Sequence, residues 1–455
     1  MSKETIAAIS TGLIPGGVGI VRVSGPDAVS VCAPLVKIKS VPLEKAEANH
    51  LYYGKIWRNS VLLDEALIAV LRAPHSYTAE DTVELQCHGG PLVLQRVLEA
   101  VLESGARLAE PGEFTKRAFL NGRLDLSEAE AVMDLIRAEN DFARDTAIRQ
   151  LGGDLSQKIH SLREVILEKT AFLEAALDDP ENYSLDGFEE ALKPVVGEML
   201  TELDGLIAGA DNGRRLAEGI ETAIVGRPNV GKSSLLNRLL GKERAIVTPV
   251  AGTTRDTIEE VLRLDDVLLK LSDTAGLREG GDEIERIGME RTREKARESE
   301  LILLLIDGSR PTEEEDHRLI DEYKNSNCLL LLNKSDLGLQ TDPEELKERF
   351  GLPVFPVSAL KGDGVDAVLQ EIRKMFHFDE IRQRPLVITS LRHKKQLEEA
   401  RNSLKFVMEA LENGAPEDFL TIDLMDAYRS LGLIVGEAVS DDLVNEIFNK
   451  FCMGK

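Results

Sequence analysis

The sequence predicts a multidomain protein in which α/β and all-α segments alternate along the chain. Short apolar strands alternate with amphipathic helices between residues 221 and 376, which predicts a mostly parallel sheet covered on both faces. Helical periodicity instead dominates residues 127–208 and returns after residue 385. The length of 455 residues fits about three domains. Because neither helical flank is long enough for a core of its own, we expect the second α/β block to be inserted into one helical domain.

Composition and charge exclude several classes of protein. The chain is 43% hydrophobic and 30% charged, as expected for an ordinary soluble globular protein. The longest apolar runs, residues 301–306 and 328–332, are far shorter than the ~18 residues that a membrane helix needs. A net charge of −25 argues against broad, unspecific binding to nucleic acid. The four cysteines lack metal-ligand spacing and no apolar signal sequence opens the chain, so we expect a cytoplasmic protein without a membrane anchor.

The first block, residues 1–120, has the pattern of a small α/β domain. Residues 18–24 and 82–87 form apolar or alternating runs that are followed by glycine and proline, which predicts strands. Residues 66–72 form another apolar run. Residues 92–102 carry apolar side chains at helical spacing and stop near Gly105, which predicts a helix.

Helical segments follow this block. Ser127 and Glu130 have the spacing of a capping box, which predicts a helix with Ser127 as its N-cap. The helical periodicity continues to about residue 177, with a soft break at Gly152 and Gly153. Further helices are predicted over residues 188–208, 397–411, 423–431 and 441–448.

Residues 226–233, with the sequence GRPNVGKS, match the pattern G-x-x-x-x-G-K-[ST] of a phosphate-binding loop. The motif follows a predicted strand and precedes a predicted helix, which is the context that it requires. The glycines let backbone N–H groups face the phosphates, and the helix N-terminus adds positive potential. Lys232 is expected to reach the β- and γ-phosphates, and Ser233 to hold Mg²⁺.

Two motifs with the character of switch segments follow. Residues 252–256 read GTTRD, and Thr254 can complete the Mg²⁺ shell. Residues 273–276 read DTAG, in which Asp273 helps to hold Mg²⁺ and the Gly276 N–H can sense the γ-phosphate.

Two base-recognition motifs complete the set. In residues 333–336, NKSD, the Asp336 carboxylate can accept hydrogen bonds from guanine N1 and N2, a pattern that adenine cannot offer. In residues 358–360, SAL, the Ala359 N–H can meet guanine O6. All five motifs in this order predict a guanine-nucleotide-binding domain similar to the translation-factor-like branch of small GTPases. The residues expected to line the site are Asn229, Val230, Gly231, Lys232, Ser233, Ser234, Thr248, Val250, Gly252, Thr253, Thr254, Asp273, Thr274, Ala275, Gly276, Asn333, Lys334, Asp336, Ser358, Ala359 and Leu360.

Residue 277 is leucine, where Ras-like enzymes carry the glutamine that orients the attacking water. No arginine finger is obvious, although Arg255 and Arg278 lie in the two switch segments. Carboxylates of residues 279–286 could act through a water instead, or could form only a solvated face. Asn229, inside the phosphate loop, could help to bind a monovalent cation near the phosphates.

The resemblance to known proteins extends beyond these motifs. Residues 16–25 read GGVGIVRVSG, residues 75–90 HSYTAEDTVELQCHGG and residues 111–125 PGEFTKRAFLNGRLD, and the chain closes with FCMGK. Together with the nucleotide motifs, these stretches resemble the MnmE (TrmE) family of tRNA-modification GTPases.

The resemblance implies a domain organisation. Residues 1–120 would form an N-terminal α/β folate-binding and dimerisation domain, and residues 219–378 an inserted Ras-like P-loop GTPase domain with a mostly parallel sheet. Residues 121–218 and 379–455 would be the two parts of one helical domain, the second of which carries the C-terminal CMGK motif.

The resemblance also implies an activity. Members are potassium-dependent GTP hydrolases and homodimers that act with the flavoprotein MnmG (GidA) in a heterotetramer or larger complex. The complex forms 5-carboxymethylaminomethyl or aminomethyl uridine at the wobble position of certain tRNAs. The implied cofactors are GTP or GDP, Mg²⁺, K⁺, and 5-formyl-tetrahydrofolate or methylene-tetrahydrofolate as the one-carbon donor.

Residue roles carry over by position. Glu285 matches the carboxylate that orients water, and Cys452 matches a cysteine of the C-terminal motif. That thiol could act in the modification chemistry, or it could be a small buried residue that positions Lys455. The matched K⁺ ligands are Asn229, Thr248, Val250 and Thr253, and the matched folate contacts are Arg22, Glu84, Arg123 and Lys455.

Two other functions are alternatives. The first is an RNA-associated regulatory GTPase switch of the ribosome-assembly type. Residues 377–455 lack the G-X-X-G loop of a KH domain, and the acidic net charge disfavours unspecific binding to rRNA. The second is a folate-dependent aminomethyl carrier to which a GTPase was added, and it overlaps with the function that the resemblance implies.

Overall fold

The computed structural model describes residues 4–240, 260–264, 266–271, 296–414, 416–437, 439–451 and 454. The chain divides into two compact units. The first comprises Met1–Ile136, Ile148–Val196 and Asn402–Lys455, and the second comprises Arg137–Ala147 and Gly197–Arg401. The bounds of the four segments expected from the sequence stay a prediction.

One sheet of the first unit contains seven described strands. These are β1 (Ile6–Ile9), β2 (Gly16–Ser24), β3 (Val36–Ile38), β4 (His50–Arg58), β5 (Val61–Leu71), β6 (Thr82–Gly89) and β7 (Arg107–Leu108). Their order in the sheet is β3-β4-β5-β6-β2-β1-β7. Neighbouring strands pair antiparallel except β1 and β7, which are parallel.

The two faces of this sheet differ because side chains alternate along each strand. On one face, buried residues such as Val21 and Leu85 pack against α1 (Ala28–Cys32) and α2 (Pro91–Glu103). Arg22 and Glu84 have the opposite parity and lie on the other face. Part of that face is covered by α3 (Glu113–Leu120), whose Phe114 is buried with Ile6 and Ala8.

Three further described helices belong to the first unit. They are α6 (Asp154–Asp178), α15 (Glu417–Val435) and α16 (Asp441–Asn449). Residues of both units occur in α4 (Leu126–Arg137), α5 (Asp141–Leu151), α7 (Phe188–Ala208) and α14 (Leu391–Asn413). The helix predicted over residues 188–208 is therefore confirmed, as is the break at Gly152 and Gly153.

The predicted N-cap of α4 is wrong by two residues. Asp125 Oδ1 accepts a hydrogen bond from Glu128 N at 2.8 Å, and Asp125 N donates to Glu128 Oε2 at 2.9 Å. This reciprocal pair is the capping box. Ser127 Oγ instead donates to Asp125 Oδ1 at 2.7 Å. An ionised carboxylate accepts more strongly than a hydroxyl, so the aspartate takes the cap.

Helices α6 and α15 pack together although the whole second sheet lies between them in the sequence. Arg163 of α6 is buried and forms an ion pair with Glu437, just beyond the end of α15. Its guanidinium carbon lies 4.0 Å from the ring centroid of Tyr428 on α15. This cation–π contact and the ion pair hold two distant stretches of the chain in one unit.

The second unit is built on a six-stranded sheet within the described residues. Its strands are β8 (Ile220–Gly226), β9 (Glu260–Leu264), β10 (Val267–Leu271), β11 (Leu301–Asp307), β12 (Cys328–Asn333) and β13 (Val354–Pro356). Their order is β13-β12-β11-β8-β10-β9, and all neighbours are parallel except β9 and β10. The surrounding helices are α8 (Ala210–Glu218), α9 (Lys232–Leu240), α10 (Glu314–Tyr323), α11 (Pro343–Phe350), α12 (Val365–Met375) and α13 (Phe378–Arg382).

Both faces of this sheet are buried, as its apolar strands predict. Leu303 and Leu305 of β11 belong to a core that includes α9 and α12. Leu304 and Ile306 of the same strand belong to a second core on the opposite face. The multidomain α/β and helical fold class is therefore confirmed.

Three of the four cysteines lie in the described part of the chain. Cys32, Cys87 and Cys328 are buried, and burial raises the pKa of each thiol to about 12. These thiols are protonated at neutral pH and are poor nucleophiles.

Within the described part of the chain, no helix has the length and apolar character to span a membrane.

Candidate functional sites

The phosphate loop lies between β8 and α9. Gly226 ends β8 and Lys232 begins α9, so the loop turns at the end of a central strand. Asn229 has a left-handed backbone with a φ of 61°, which asparagine tolerates better than most residues. Lys232 Nζ donates to the carbonyl oxygens of Gly226 at 2.7 Å and Arg227 at 2.9 Å. The ammonium group is thereby held against the loop that would receive a phosphate.

Asn333, the last residue of β12, joins two loops of the site. It is 2% exposed. Its Nδ2 donates to the Val230 carbonyl at 2.7 Å, and its Oδ1 accepts from Ala359 N at 2.9 Å. A Cβ on Gly231 would lie 2.2 Å from Asn333 Nδ2, and the φ of Gly231 is +102°, so both contact and backbone require glycine.

Lys334 and Asp307 form an ion pair beside this junction. Lys334 Nζ donates to Asp307 Oδ2 at 2.7 Å, and Ser309 also donates to the carboxylate. Burial raises the pKa of Asp307, but the hydrogen bonds from Lys334 and Ser309 outweigh that effect and leave the pKa below its ordinary value. Asp307 is therefore ionised at neutral pH and fixes the Lys334 side chain.

Asp336 is oriented by the loop that follows β13. Ser358 Oγ donates to Asp336 Oδ1 at 2.7 Å and accepts from Lys361 N at 3.1 Å. Because Ser358 is fully buried, its hydroxyl holds the Asp336 carboxylate in a fixed orientation. The Ala359 N–H is donated to Asn333, so a contact with guanine O6 would have to share or replace that hydrogen bond. The Leu360 side chain is exposed next to this loop.

These loops share one edge of the sheet. They follow β8, β12 and β13, which are parallel to the strands between them, so their carboxyl ends lie on the same side. Open α/β sheets bind ligands at this edge. The structure thus brings together three predicted segments, residues 229–234, 333–336 and 358–360. Ser233 and Ser234 lie in the first turn of α9.

A second candidate site lies on the sheet of the first unit. Arg22 and Glu84 are direct cross-strand partners on β2 and β6. Arg22 Nε donates to Glu84 Oε1 at 2.9 Å, and the two side chains are 14% and 16% exposed. This ion pair is therefore mostly screened from solvent by the protein.

Tyr77 connects this pair to Arg123. Its ring centroid lies 5.4 Å from Arg22 Cζ and 5.0 Å from Arg123 Cζ. Arg123 Nη1 also donates to the Tyr77 carbonyl at 2.8 Å, and the Tyr77 hydroxyl lies 2.9 Å from Thr115 Oγ1. Burial raises the pKa of Tyr77, although the Thr115 hydrogen bond and both arginines oppose the shift. The phenol therefore stays protonated at neutral pH.

Gly454 lies against the same sheet. Gly454 has a φ of +89°, and a Cβ there would lie 2.2 Å from the Ile9 carbonyl oxygen at the end of β1. Only glycine allows this approach. Strand β1 pairs with the strand that carries Arg22, since Ala8 is opposite Arg22.

Sequence comparison decides the family. The profile of the MnmE helical domain matches residues 126–452, and that of the GTP-binding protein TrmE N-terminus matches residues 5–123. The chain belongs to the MnmE family of tRNA modification GTPases.

Curated MnmE-family relatives match along their whole length. Proteins named tRNA modification GTPase MnmE are 47% identical in Lachnoclostridium phytofermentans, with 100% of both chains covered, and 44% identical in Streptococcus thermophilus, with 99% of this chain and 98% of the relative covered. The Clostridioides difficile relative is 42% identical, with 99% of each chain covered. Among solved structures, Era of Aquifex aeolicus is 26% identical and covers 40% of this chain and 66% of its own, with a TM-score of 0.27. Family membership rests on the full-length relatives.

Several predicted residues of this MnmE-family chain lie outside the described residues, and their roles stay predictions. They are Thr248, Val250, Gly252, Thr253, Thr254, Asp273, Thr274, Ala275, Gly276, Glu285, Cys452 and Lys455, together with Arg255, Leu277 and Arg278. In the described part of the chain, no group of three His, Cys, Asp or Glu side chains could hold a metal ion.

Sequence reasoning missed Tyr77 and Asp307. Tyr77 lies in the stretch that also carries Glu84, but nothing local indicates that its ring lies beside two arginines. Asp307 could have been found, because it ends an apolar strand next to β12, and polar residues at such ends converge on the site.

Proposed function

We propose that this chain binds GTP at the phosphate loop and hydrolyses it to GDP and phosphate while it takes part in the modification of tRNA. The observation that carries the proposal is the position of Asn333, which joins the phosphate loop to the loop beyond β13. A phosphate site and a base site are thereby held at a fixed separation. The curated relatives, which are named tRNA modification GTPases, support the tRNA part.

The base would be recognised by Asp336. Its carboxylate, held by Ser358, accepts from guanine N1–H and the N2 amino group, whereas adenine presents no such donors. At the other end of the nucleotide, the Ser233 hydroxyl would bind Mg²⁺, with Thr254 and Asp273 as expected partners. Oxygen donors of this kind suit Mg²⁺, which is usually held by few protein groups together with phosphate oxygens.

Hydrolysis would depend on K⁺. Asn229 is exposed in the phosphate loop, and its amide oxygen is a donor type that suits K⁺. Thr248, Val250 and Thr253 would supply the other oxygens, and Glu285 would orient the attacking water in place of the glutamine that Leu277 replaces. A cation at this position would offset charge that develops on the phosphates.

The test compares GTP hydrolysis in KCl and NaCl at equal ionic strength. We expect hydrolysis to be at least about tenfold faster in KCl, because charge stabilisation at the transition state contributes on this scale. Asn229→Ala should lose the difference, and Glu285→Ala should be slow in both salts. Asn237→Ala, an exposed asparagine on α9, is the matched control and should behave as the intact protein. Equal slow rates in both salts would contradict K⁺ dependence and favour an RNA-associated regulatory switch.

The first unit would bind a reduced folate, either 5-formyl-tetrahydrofolate or methylene-tetrahydrofolate as the one-carbon donor. The donor set fits this group: the Glu84 carboxylate can accept from the amidine-like edge of a pterin, and the cations Arg22, Arg123 and Lys455 suit the glutamate tail. Gly454, which precedes Lys455 in the sequence, packs against the end of β1, and β1 pairs with the strand that carries Arg22. Cys452 would act in the modification chemistry or position Lys455.

Calorimetric titration with 5-formyl-tetrahydrofolate tests the folate proposal without any assay of activity. Glu84→Gln should weaken binding by about tenfold or more, since a charge-assisted hydrogen bond is lost. Arg96→Gln, an exposed arginine on α2, should leave binding unchanged. Equal affinity of the Glu84→Gln variant and the intact protein would refute this site.

The partners complete the proposal. The chain would form a homodimer and work in the cytoplasm with a flavoprotein of the MnmG (GidA) type in a heterotetramer or larger complex. The product would be 5-carboxymethylaminomethyl or aminomethyl uridine at the tRNA wobble position. Redox chemistry would come from the flavoprotein.

A further inference from the structure

Arg227, the second residue of the phosphate loop, points its side chain at the N-terminus of α10. Its Nη1 lies 2.6 Å from Glu313 Oε2 and 3.5 Å from Asp316 Oδ2, and its Nη2 lies 2.8 Å from Glu315 Oε2. One guanidinium group thus meets three carboxylates of one helix end. These contacts direct the Arg227 side chain to α10, whereas Lys232 Nζ bonds to carbonyl oxygens of the phosphate loop itself.

The carboxylate at the centre of this cluster is buried. Asp316 is 1% exposed, and its Oδ2 accepts from Glu313 N at 3.0 Å, which caps α10. A second arginine shares the same acids: Arg310 Nη1 lies 3.0 Å from Glu313 Oε1, and its Nη2 lies 3.2 Å from Asp316 Oδ2. A buried carboxylate requires such cations because its desolvation is costly. Arg227 and Arg310 therefore both stabilise the charge of the buried Asp316 carboxylate, but only Arg227 belongs to the phosphate loop.

The backbone of Arg227 links this cluster to the phosphate-binding lysine. Its carbonyl oxygen accepts from Lys232 Nζ at 2.9 Å, beside the bond from Lys232 to the Gly226 carbonyl. If the side chain of Arg227 is released, the carbonyl that holds Lys232 is no longer fixed to a rigid helix end. The loss would reach the phosphates through Lys232 and not through a direct contact of Arg227.

We propose that Arg227 is a positioning residue for the bound nucleotide, which fixes the phosphate loop to the Glu313, Glu315 and Asp316 carboxylates and so slows nucleotide release. The proposal rests on the guanine-nucleotide binding proposed above. Arg227 would affect how long the nucleotide stays bound, and other residues would carry out its hydrolysis. A positioned loop binds phosphate without a further entropic cost for its ordering.

Release of GDP labelled with an N-methylanthraniloyl fluorophore tests this role by stopped-flow fluorescence. Arg227→Ala should release the labelled GDP about tenfold faster, because a hydrogen-bonded charge pair contributes on this scale. The KM for GTP should rise by a similar factor while kcat stays within about twofold. Arg310→Ala is the matched control, since it removes a cation from the same acids, and its release rate should stay within about twofold of the intact protein.

Two less disruptive variants test the same role of Arg227 if Arg227→Ala does not fold. Glu313→Gln leaves the buried Asp316 in place and should also accelerate release, by about threefold. Arg227→Lys keeps the charge but not the fork, so it should lie between the intact protein and Arg227→Ala.

The outcomes are distinguishable. Binding by the intact protein together with unchanged release in Arg227→Ala and Glu313→Gln would overturn this inference alone. Equal acceleration in Arg227→Ala and Arg310→Ala would also overturn it, since the cluster would then act through general stability. Failure of the intact protein to bind labelled GDP would overturn the proposed function and this inference with it.

Discussion

At the scale of single residues, one buried amide and one half-buried carboxylate fix the loops of the candidate nucleotide site. Asn333 uses both ends of its amide, and Asp336 is held by the hydroxyl of Ser358. Each of these hydrogen bonds joins loops that are far apart in the sequence. The geometry of the site therefore depends on a few polar side chains at the ends of strands.

Replacement of Asn333 by alanine should damage both stability and binding. The change leaves the Val230 carbonyl and the Ala359 N–H without their partner, at a cost of about 2–4 kcal/mol in the free energy of unfolding of the second unit. Affinity for GDP should fall by more than about tenfold, because the two loops lose their link. Calorimetry measures the affinity and thermal unfolding the stability. Asn325→Ala, an exposed asparagine before β12, should change neither, and an unaltered Asn333→Ala variant would contradict this role.

Residue identities in the motifs were predictable from the sequence, but their partners were not. The spacing of GRPNVGKS and NKSD is local and indicates the chemistry of Lys232 and Asp336. The approach of Asn333 to Gly231 depends on how β12 packs beside the phosphate loop, which no local pattern contains. For the same reason, the place of Tyr77 between Arg22 and Arg123 was found only in the structure.

At the scale of helices and strands, long periodic segments were predicted best. The helix over residues 188–208 matches α7, and that over 441–448 differs from α16 by one residue. Helix α15 is longer than the predicted 423–431, because its buried stripe includes Leu420 and Ile434. Strands β4 and β9 were not predicted. Each strand is identified by its pairing with an antiparallel neighbour, β5 for β4 and β10 for β9, more than by the alternation of apolar and polar residues in its own sequence.

The end of β6 is tied to β5 by a pH-dependent pair. His88 Nδ1 lies 2.7 Å from Asp64 Oδ1, and His88 N donates to Asp64 Oδ2 at 2.8 Å. The hydrogen bond with Asp64 raises the pKa of His88. Since the folded pKa lies above the unfolded one, the pair stabilises the fold fully below about pH 6.5, and the contribution is lost as the pH rises through the folded pKa.

Titration of the histidine Cε1 signals by NMR checks this pair. We expect His88 to titrate above its ordinary pKa of about 6.5, and Asp64→Asn to lower that pKa, because the ionised partner is removed. His88→Gln assigns the signal among the seven histidines of the chain. An identical His88 pKa in the intact protein and in Asp64→Asn would show that the carboxylate does not act on the ring.

At the scale of the whole molecule, an apolar strip on the sheet of the first unit is exposed among the residues that the structure describes. Leu51 and Tyr53 of β4 and Leu67 of β5 are 59%, 55% and 42% exposed. Tyr53 and Leu67 are cross-strand partners, so the three side chains share one face of the sheet. Exposed apolar strips of this kind mark interaction surfaces. This strip is where we expect the proposed homodimer to form.

Charge on the strip should therefore separate the dimer. Leu51→Glu together with Leu67→Glu places carboxylates where apolar side chains would meet, so the mass in light scattering should fall from that of two chains to that of one. Phe406→Glu changes an exposed aromatic residue on α14 and should leave the dimer intact. A dimer that survives both charges on the sheet would place the interface elsewhere.

If GTP bound at this site drives modification of tRNA, the reaction should follow the nucleotide when its base is exchanged. Asp336→Asn should reject GTP and accept xanthosine triphosphate, because the amide can donate to xanthine O2 and still accept from N1–H. The measurement is mass spectrometry of wobble nucleosides formed on tRNA by the chain and its flavoprotein partner. We predict product from the intact protein with GTP, none from Asp336→Asn with GTP, and recovery of that variant with xanthosine triphosphate. Full modification by Asp336→Asn without any nucleotide would show that GTP bound at this site does not drive the reaction.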